Sequence, residues 1–291
     1  MIVNWILEKH IFEDQDNLIE AIKNSGHYCL LVDDTDIDFD FDKEIADKFD
    51  EEDCVIFHGS LQLGRKIWNS TPFIPGIFLT LDNYECFKYY GYYGKELVNS
   101  HYILMGLNDV KRNKWKLFKT FLKEGEYETL EPNLFIRPSN GYKTFTGQLI
   151  SGENFEQEFD VLCKSYGGLD MDQLVLIAPE QNVREENRFI VINENGQNRI
   201  IDGNKYMIDR VLLTERVVDD EAWKYAETIV NNYTPDKAFT IDIAKLGNGE
   251  YRVLEIGSFC CAGLYNADLN KIVNEINQLC INEYNEYYNY E

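Results

Sequence analysis

Residues 239–258 read FTIDIAKLGNGEYRVLEIGS. Two runs rich in Phe, Ile, Val and Leu flank Asn248-Gly249, the dipeptide that most strongly specifies a tight connection between antiparallel strands. With those two residues as the turn, Gly247 pairs with Glu250 and Asp242 falls directly opposite Glu255. Alternation sets Phe239, Ile241, Ile243, Leu254 and Ile256 on one face, and Thr240, Asp242, Ala244, Val253, Glu255 and Gly257 on the other. The first face is core. The second carries two facing carboxylates with Cβ atoms about 4.5–5.5 Å apart, where like charges repel unless a cation intervenes. A divalent ion suits the pair: hard oxygen ligands favour Mg²⁺ or Mn²⁺, and carboxylates plus phosphate oxygens commonly hold Mg²⁺. An exposed acidic pair, or one neutralised by a nearby Lys or Arg, fits the same residues.

A chain of 291 residues is long enough for one large fold or two to three small lobes. Hydrophobic residues at 44% and aromatics at 14%, with 19 Tyr and 17 Phe, specify a packed globular protein. Its 28 basic against 51 acidic residues give a formal charge of −23, which opposes non-specific nucleic-acid or anionic-membrane binding. Neither nucleic acid nor membrane is an expected partner. An anionic ligand must instead enter a local basic pocket, so Arg and Lys beside glycine become informative. No apolar run approaches a membrane span, and MIVNWILEKH lacks the basic start and cleavage site of a signal peptide, so the expected location is the cytoplasm. Seven cysteines without a CxxC spacing suggest neither a disulfide framework nor a zinc site. The acidic stretch 33–53 and the tail EYNEYYNYE read as solvated surface.

VNWILEK, DNLIEAIKNSG, YCLLVDD and CVIFHGS alternate as strand, helix, strand, strand, so the first 75 or so residues form a small α/β lobe. HGSLQLGRKI then reads either as a strand end feeding a ligand loop and a helix, or as an ordinary turn with Arg65 and Lys66 in solvent. Residues 83–125 read as aromatic-rich helices, including VKRNKWKLFKTFLKEG. From 133 onward strands dominate: NLFIRPS, KTFTGQLI, LVLIAPE, NRFIVIN, NRIIDGNKYM, KAFTIDIAKL and YRVLEIGSF. Helices over ENFEQEFDVLCKSY and DDEAWKYAETIVNNY interrupt them. A last helix begins near Asp268, with Leu269, Ile272, Val273, Ile276 and Leu279 at helical spacing.

The second informative stretch is FIRPSNGYKTFTG, residues 135–147. A two-residue turn at Asn140-Gly141 pairs Pro138 with Lys143 and sets Arg137 on the other face. A loop over 138–142 instead pairs Arg137 with Lys143, so that both meet one anion. Pro138 supports the longer loop by holding Arg137 extended. Such a basic pair at a glycine-containing hairpin suits phosphate, Arg by its fork and Lys by its point charge.

The order along the chain, basic glycine hairpin, helix, LIAPEQNV, EENRF, then opposed Asp and Glu, resembles the ATP-grasp fold. FIRP, a following lysine and EENRF are similar to the clade named for one Arg and two Lys residues. The resemblance covers roughly 130–265. It implies an α+β fold of two lobes clasping ATP, preceded by a small α/β lobe, with parts at 1–100 (N-terminal lobe and helical connection), 101–185 and 186–291. It implies ATP- and Mg²⁺-dependent (or Mn²⁺-dependent) joining of a small-molecule or peptide carboxylate to an amine through an acyl phosphate.

Carried over by position, Lys143 contacts ATP phosphates, and Arg137 the phosphates or the incipient acyl phosphate. The strand end with Glu180, Asn182 and Val183 meets adenine and ribose. Arg188 faces the reacting phosphoryl group, Lys205 is the second family lysine, and Asp242 and Glu255 hold metal. One departure is plain: the family commonly has Asn two residues after the metal Glu, whereas here Gly257 stands there, followed by Ser258. The second ion would then be weakly held, or bound by water or by Ser258. A nucleotide-binding relative without turnover, acting as an interaction module, is therefore the alternative.

Overall fold

The computed structural model describes residues 1–13, 15–121 and 132–289. The chain opens with β1 (Val3–Glu8), α1 (Gln15–Asn24), β2 (Tyr28–Val32), a short α2 (Phe41–Glu44), β3 (Cys54–His58), α3 (Leu61–Ser70) and β4 (Ile74–Gly76). These strands are parallel, in the order β2-β1-β3-β4. β1 and β3 are buried at every position, as the continuous apolar runs VNWIL and CVIF require of strands covered on both faces. Ser60 starts α3 by accepting the Leu63 amide at 3.1 Å, the usual capping bond. HGSLQLGRKI thus runs from strand to capped helix.

Next come α4 (Cys86–Tyr93), β5 (Ile103–Gly106), α5 (Leu107–Arg112), α6 (Lys114–Phe121), β6 (Leu134–Pro138), β7 (Gln148–Ile150), α7 (Phe155–Ser165) and β8 (Leu174–Pro179). Their sheet is antiparallel, ordered β5-β8-β6-β7. Leu117 and Phe118 of α6 and Phe155 and Phe159 of α7 pack with Leu134, Ile136, Val175 and Ile177. The sequence reading of 83–125 as helical is corrected at β5. Four residues are too few to show a period, and pairing with β8 decides their state. The helix expected to continue to residue 125 lies, beyond Phe121, outside the described residues.

The hairpin expected over 135–147 is also different. β6 pairs with β7 as Leu134 with Ile150, Phe135 with Leu149 and Ile136 with Gln148, so neither Pro138 nor Arg137 pairs with Lys143. Docking of the loop overrides turn propensity. The Ser139 amide donates to the Leu174 carbonyl at 2.9 Å, Thr144 donates to the Gln173 side chain, and Phe145 enters the core. Gly141 sits so near the Leu81 carbonyl that a Cβ there would come within 2.6 Å.

The last part holds β9 (Val183–Glu194), β10 (Gln197–Ile208), β11 (Val211–Val217), α8 (Asp220–Ile229), β12 (Ala238–Leu246), β13 (Tyr251–Ser258) and α9 (Leu269–Asn289), with sheet order β11-β10-β9-β12-β13. β11 is missing from the sequence reading because VLLTERV is exposed along most of its length and carries no alternation. Two compact units result: Met1–Thr80 with Arg184–Glu291, and Leu81–Val183. Within the first, α9 packs on α1, β1, β3, β4 and β10, burying Ile272, Val273, Ile276 and Leu279. Trp5 donates its indole N–H to Asn277 at 2.8 Å, and the Gly59 amide donates to the Cys260 carbonyl at 2.9 Å. No helix among the described residues is long and apolar enough to cross a membrane.

Candidate active site

Asp242 of β12 pairs directly with Glu255 of β13, as the sequence predicts. The turn does not follow the two-residue form. Leu246 donates to Glu250 at 2.8 Å, Gly249 donates to Leu246 at 2.8 Å, and Gly249 takes φ 86°. That is a three-residue loop closed by a left-handed glycine. Pairing from Lys245–Tyr251 to Ile243–Val253 is one residue out of the expected register, and Leu254, inserted as a bulge, restores it at Asp242. The faces of two residues are thereby exchanged. Val253 joins Ile243 in the core, and Leu254 is left half-buried. Bulges next to sites re-aim side chains in this way.

Ser258 does not turn toward Glu255. It pairs with Phe239, donates its hydroxyl to the Phe78 carbonyl at 2.6 Å and accepts the Cys260 amide at 3.2 Å. Gly257 pairs with Thr240, and a Cβ at 257 would lie 3.1 Å from the Thr240 hydroxyl.

β9, between β10 and β12, brings Arg188 to Asp242. Arg188 Nε donates to Asp242 Oδ1 at 2.8 Å, Nη2 to Oδ2 at 2.7 Å and Nη1 to the Gly263 carbonyl at 3.0 Å. Arginine therefore neutralises Asp242 in the manner the sequence left open. Burial by itself would lower the Arg188 pKa, but the Asp242 charge and its hydrogen bonds hold it well above the ordinary value, so the group stays cationic. Glu186 lies two residues earlier, on the same face, and accepts the Tyr206 hydroxyl. Burial raises its pKa, the Tyr206 bond opposes the rise, and the charges of Asp242 and Glu255 add to it.

The face thus assembles three carboxylates and one guanidinium. No three His, Cys, Asp or Glu side chains among the described residues converge to hold an ion unaided. Asp242 and Glu255 offer hard oxygen donors of the type Mg²⁺ takes, with phosphate and water oxygens completing such a shell. The donor chemistry fits.

Lys205 is not brought to this face. It pairs with Asn187 on β9 and forms ion pairs with Glu185 and, at 3.2 Å, with Asp219, the residue that caps α8. Burial would lower its pKa, but those two carboxylates raise it.

In the other unit, Arg137 is half-buried on β6, across from Leu176 of β8, and Lys143 is exposed in the loop at φ 48°. Glu180 follows β8, accepting the Asn133 side-chain amide at 2.9 Å. Asn182 is exposed and Val183 half-buried beside it.

Sequence reasoning missed Glu186, Tyr206 and Tyr265. The first was legible, since a period of two joins it to Arg188 in EENRF. Tyr206 sits at a bulge in β10 and Tyr265 in an irregular loop, where no period applies.

The family model described as an ATP-grasp domain, family 2 of the clade named for one Arg and two Lys residues, matches residues 112–274. No curated protein matches the chain. Among solved structures, D-alanine-D-alanine ligase from Coxiella burnetii is 11% identical at TM-score 0.62, over 99% of this chain and 98% of that one. D-cycloserine synthetase DcsG is 12% identical at TM-score 0.58, over 96% and 99%. N5-carboxyaminoimidazole synthetase from Staphylococcus aureus, complexed with ADP, is 12% identical at TM-score 0.53, over 88% and 69%. At these identities the likeness is one of fold.

Proposed function

Because the chain belongs to this ATP-grasp domain family, the second of its Arg- and Lys-named clade, and has the α+β ATP-grasp fold, we propose that it is an ATP- and Mg²⁺-dependent carboxylate-amine ligase. A substrate carboxylate takes the γ-phosphoryl group of ATP, releasing ADP. An amine then displaces phosphate from the acyl phosphate, forming the C–N bond. The observation that carries this reading is the Asp242–Glu255 pair, opposed on one sheet face with Arg188 held against it.

In this reading Asp242 and Glu255 hold Mg²⁺, which when bound offsets charge on the phosphates. Arg188 is a permanent cation already fixed in place, so little reorganisation accompanies charge development at the phosphoryl group. Arg137 and Lys143 are assigned to phosphate and acyl phosphate, and Glu180, Asn182 and Val183 to the nucleoside. Lys205, engaged with Glu185 and Asp219, fastens α8 instead. The names of the three similar solved structures, one a ligase and two synthetases, support ligation as the reaction class.

The test is ATP consumption across pools of carboxylates and amines. ADP and phosphate are expected, with oxygen label moving from the carboxylate into phosphate, while AMP and pyrophosphate would reject the route. Glu255→Gln keeps the shape and removes a charge. Its turnover should fall at least the roughly 10–100-fold that even outer-shell metal partners cost, with the melting temperature nearly unchanged. A second reading, nucleotide binding without turnover, is favoured by one observation: Gly257 offers no side chain and Ser258 is committed to Phe78. Mg²⁺-dependent ATP binding with no product from any pool would select it.

A further inference from the structure

Arg188 carries five N–H donors, and three are spent on Asp242 and Gly263. The remaining two are one on each terminal nitrogen, a pair suited to two oxygens of one phosphoryl group. Their direction depends on what keeps the guanidinium from turning. Tyr206 and Tyr265 stack with ring centroids 4.5 Å apart and planes 3° from parallel. Arg188 Cζ lies 5.4 Å from the first centroid and 5.1 Å from the second. A group nearly equidistant from two stacked rings cannot sit over the face of both. It packs on the flank of the stack, which confines and desolvates it more than it supplies face-on cation–π attraction.

Each tyrosine is itself held. The Tyr206 hydroxyl gives its one proton to Glu186 and packs 3.5 Å from Asp242 Oδ2. Tyr265 takes φ 51°, a left-handed conformation that a bulky residue adopts only when its surroundings enforce it. Its neighbour Asn266 fastens the loop by donating to the Leu213 carbonyl at 2.9 Å.

We infer that Tyr206 and Tyr265 are positioning residues for Arg188, walling its flank as one stack that the Tyr206 hydroxyl anchors to Glu186. Neither touches the reacting atoms. The inference rests on the proposed reading that Arg188 meets the transferred γ-phosphoryl group, so its signature is preference for ATP over ADP.

The experiment is calorimetric binding of MgATP and of MgADP, without carboxylate, to the full chain, paired with turnover. The wild-type protein should bind MgATP more tightly than MgADP. Tyr206→Phe keeps the ring and loses the bond that anchors it to Glu186, so that preference should fall about tenfold, the scale of one charge-assisted hydrogen bond. MgADP affinity should hold, and kcat should fall without a change in KM for the carboxylate. Tyr265→Phe should behave as wild type, whereas Tyr265→Gly, which relieves the backbone and removes the wall, should show the same loss. The Tyr265 pair decides the matter if Tyr206→Phe does not fold.

A purely structural role would weaken MgADP and MgATP together, and that outcome, or wild-type ATP preference and kcat in both Tyr206→Phe and Tyr265→Gly, overturns the inference alone. A wild-type protein that does not distinguish ATP from ADP overturns it together with the assignment of Arg188.

Discussion

Replacing Arg188 with Met strips one partner from a buried pair and leaves Asp242, 2% exposed, as an isolated charge. The cost should be about 3–5 kcal/mol in denaturant melts. Adding Asp242→Asn should recover part of it, because the stranded charge goes too. A smaller, functional effect belongs to Lys143, which is exposed. Lys143→Ala should weaken ATP binding about tenfold or more, through the loss of roughly 1.5–3 kcal/mol of charge-assisted bonding. Lys66→Ala, which loses only a contact 4.3 Å over Phe41, should leave ATP affinity unchanged. Equal losses in the two variants would show Lys143 to be the wrong choice for the phosphate clamp. Asp242 and Glu255 were legible as residues because the apolar runs around them announce two strands, and as a pair because the bulge at Leu254 offsets the extra residue of the turn. That Arg137 and Lys143 do not pair was not legible, because a nonlocal event, burial of Phe145, sets the path of that loop.

At the scale of elements, β3 ends on His58, whose ring touches Phe12 and Phe259 and whose Nε2 lies 3.1 Å from the Ala262 carbonyl. Burial pulls its pKa from 6.5 down to about 4. Below the ordinary value the unfolded chain takes up a proton that the folded ring refuses. This contribution to stability is complete above about pH 6.5 and is lost as the pH falls toward 4, at about 1.4 kcal/mol per unit and about 3 kcal/mol in all. Neighbouring Glu8, with its pKa raised mainly by burial, acts with the opposite sign. Comparison with His58→Phe across that range cancels it, and parallel curves for the two proteins would refute the prediction. Long elements were readable directly, α9 by its one apolar face and β12 by its nearly continuous apolar run. β5 was too short and β11 too exposed, and Leu254 entered as a bulge that no local pattern announces.

The whole molecule depends on α9 more than its place at the end suggests. It covers α1 and strands β1, β3, β4 and β10, so a chain ended at Asp268 should lose the folded state of the first eighty residues as well. Circular dichroism and proteolysis of residues 1–80 would report this, and a protected N-terminal sheet in the shortened chain would contradict it.

Trp5 and Asn277 are 272 residues apart in sequence, and the unit that contains both is interrupted by all of Leu81–Val183. During synthesis at roughly 5–20 residues per second, the opening strands wait about 14–54 seconds for the helix that covers them. For up to that interval the apolar strands β1–β4 leave the ribosome without the helix that closes them. The order in which the chain is made is thus at odds with the order in which it is packed.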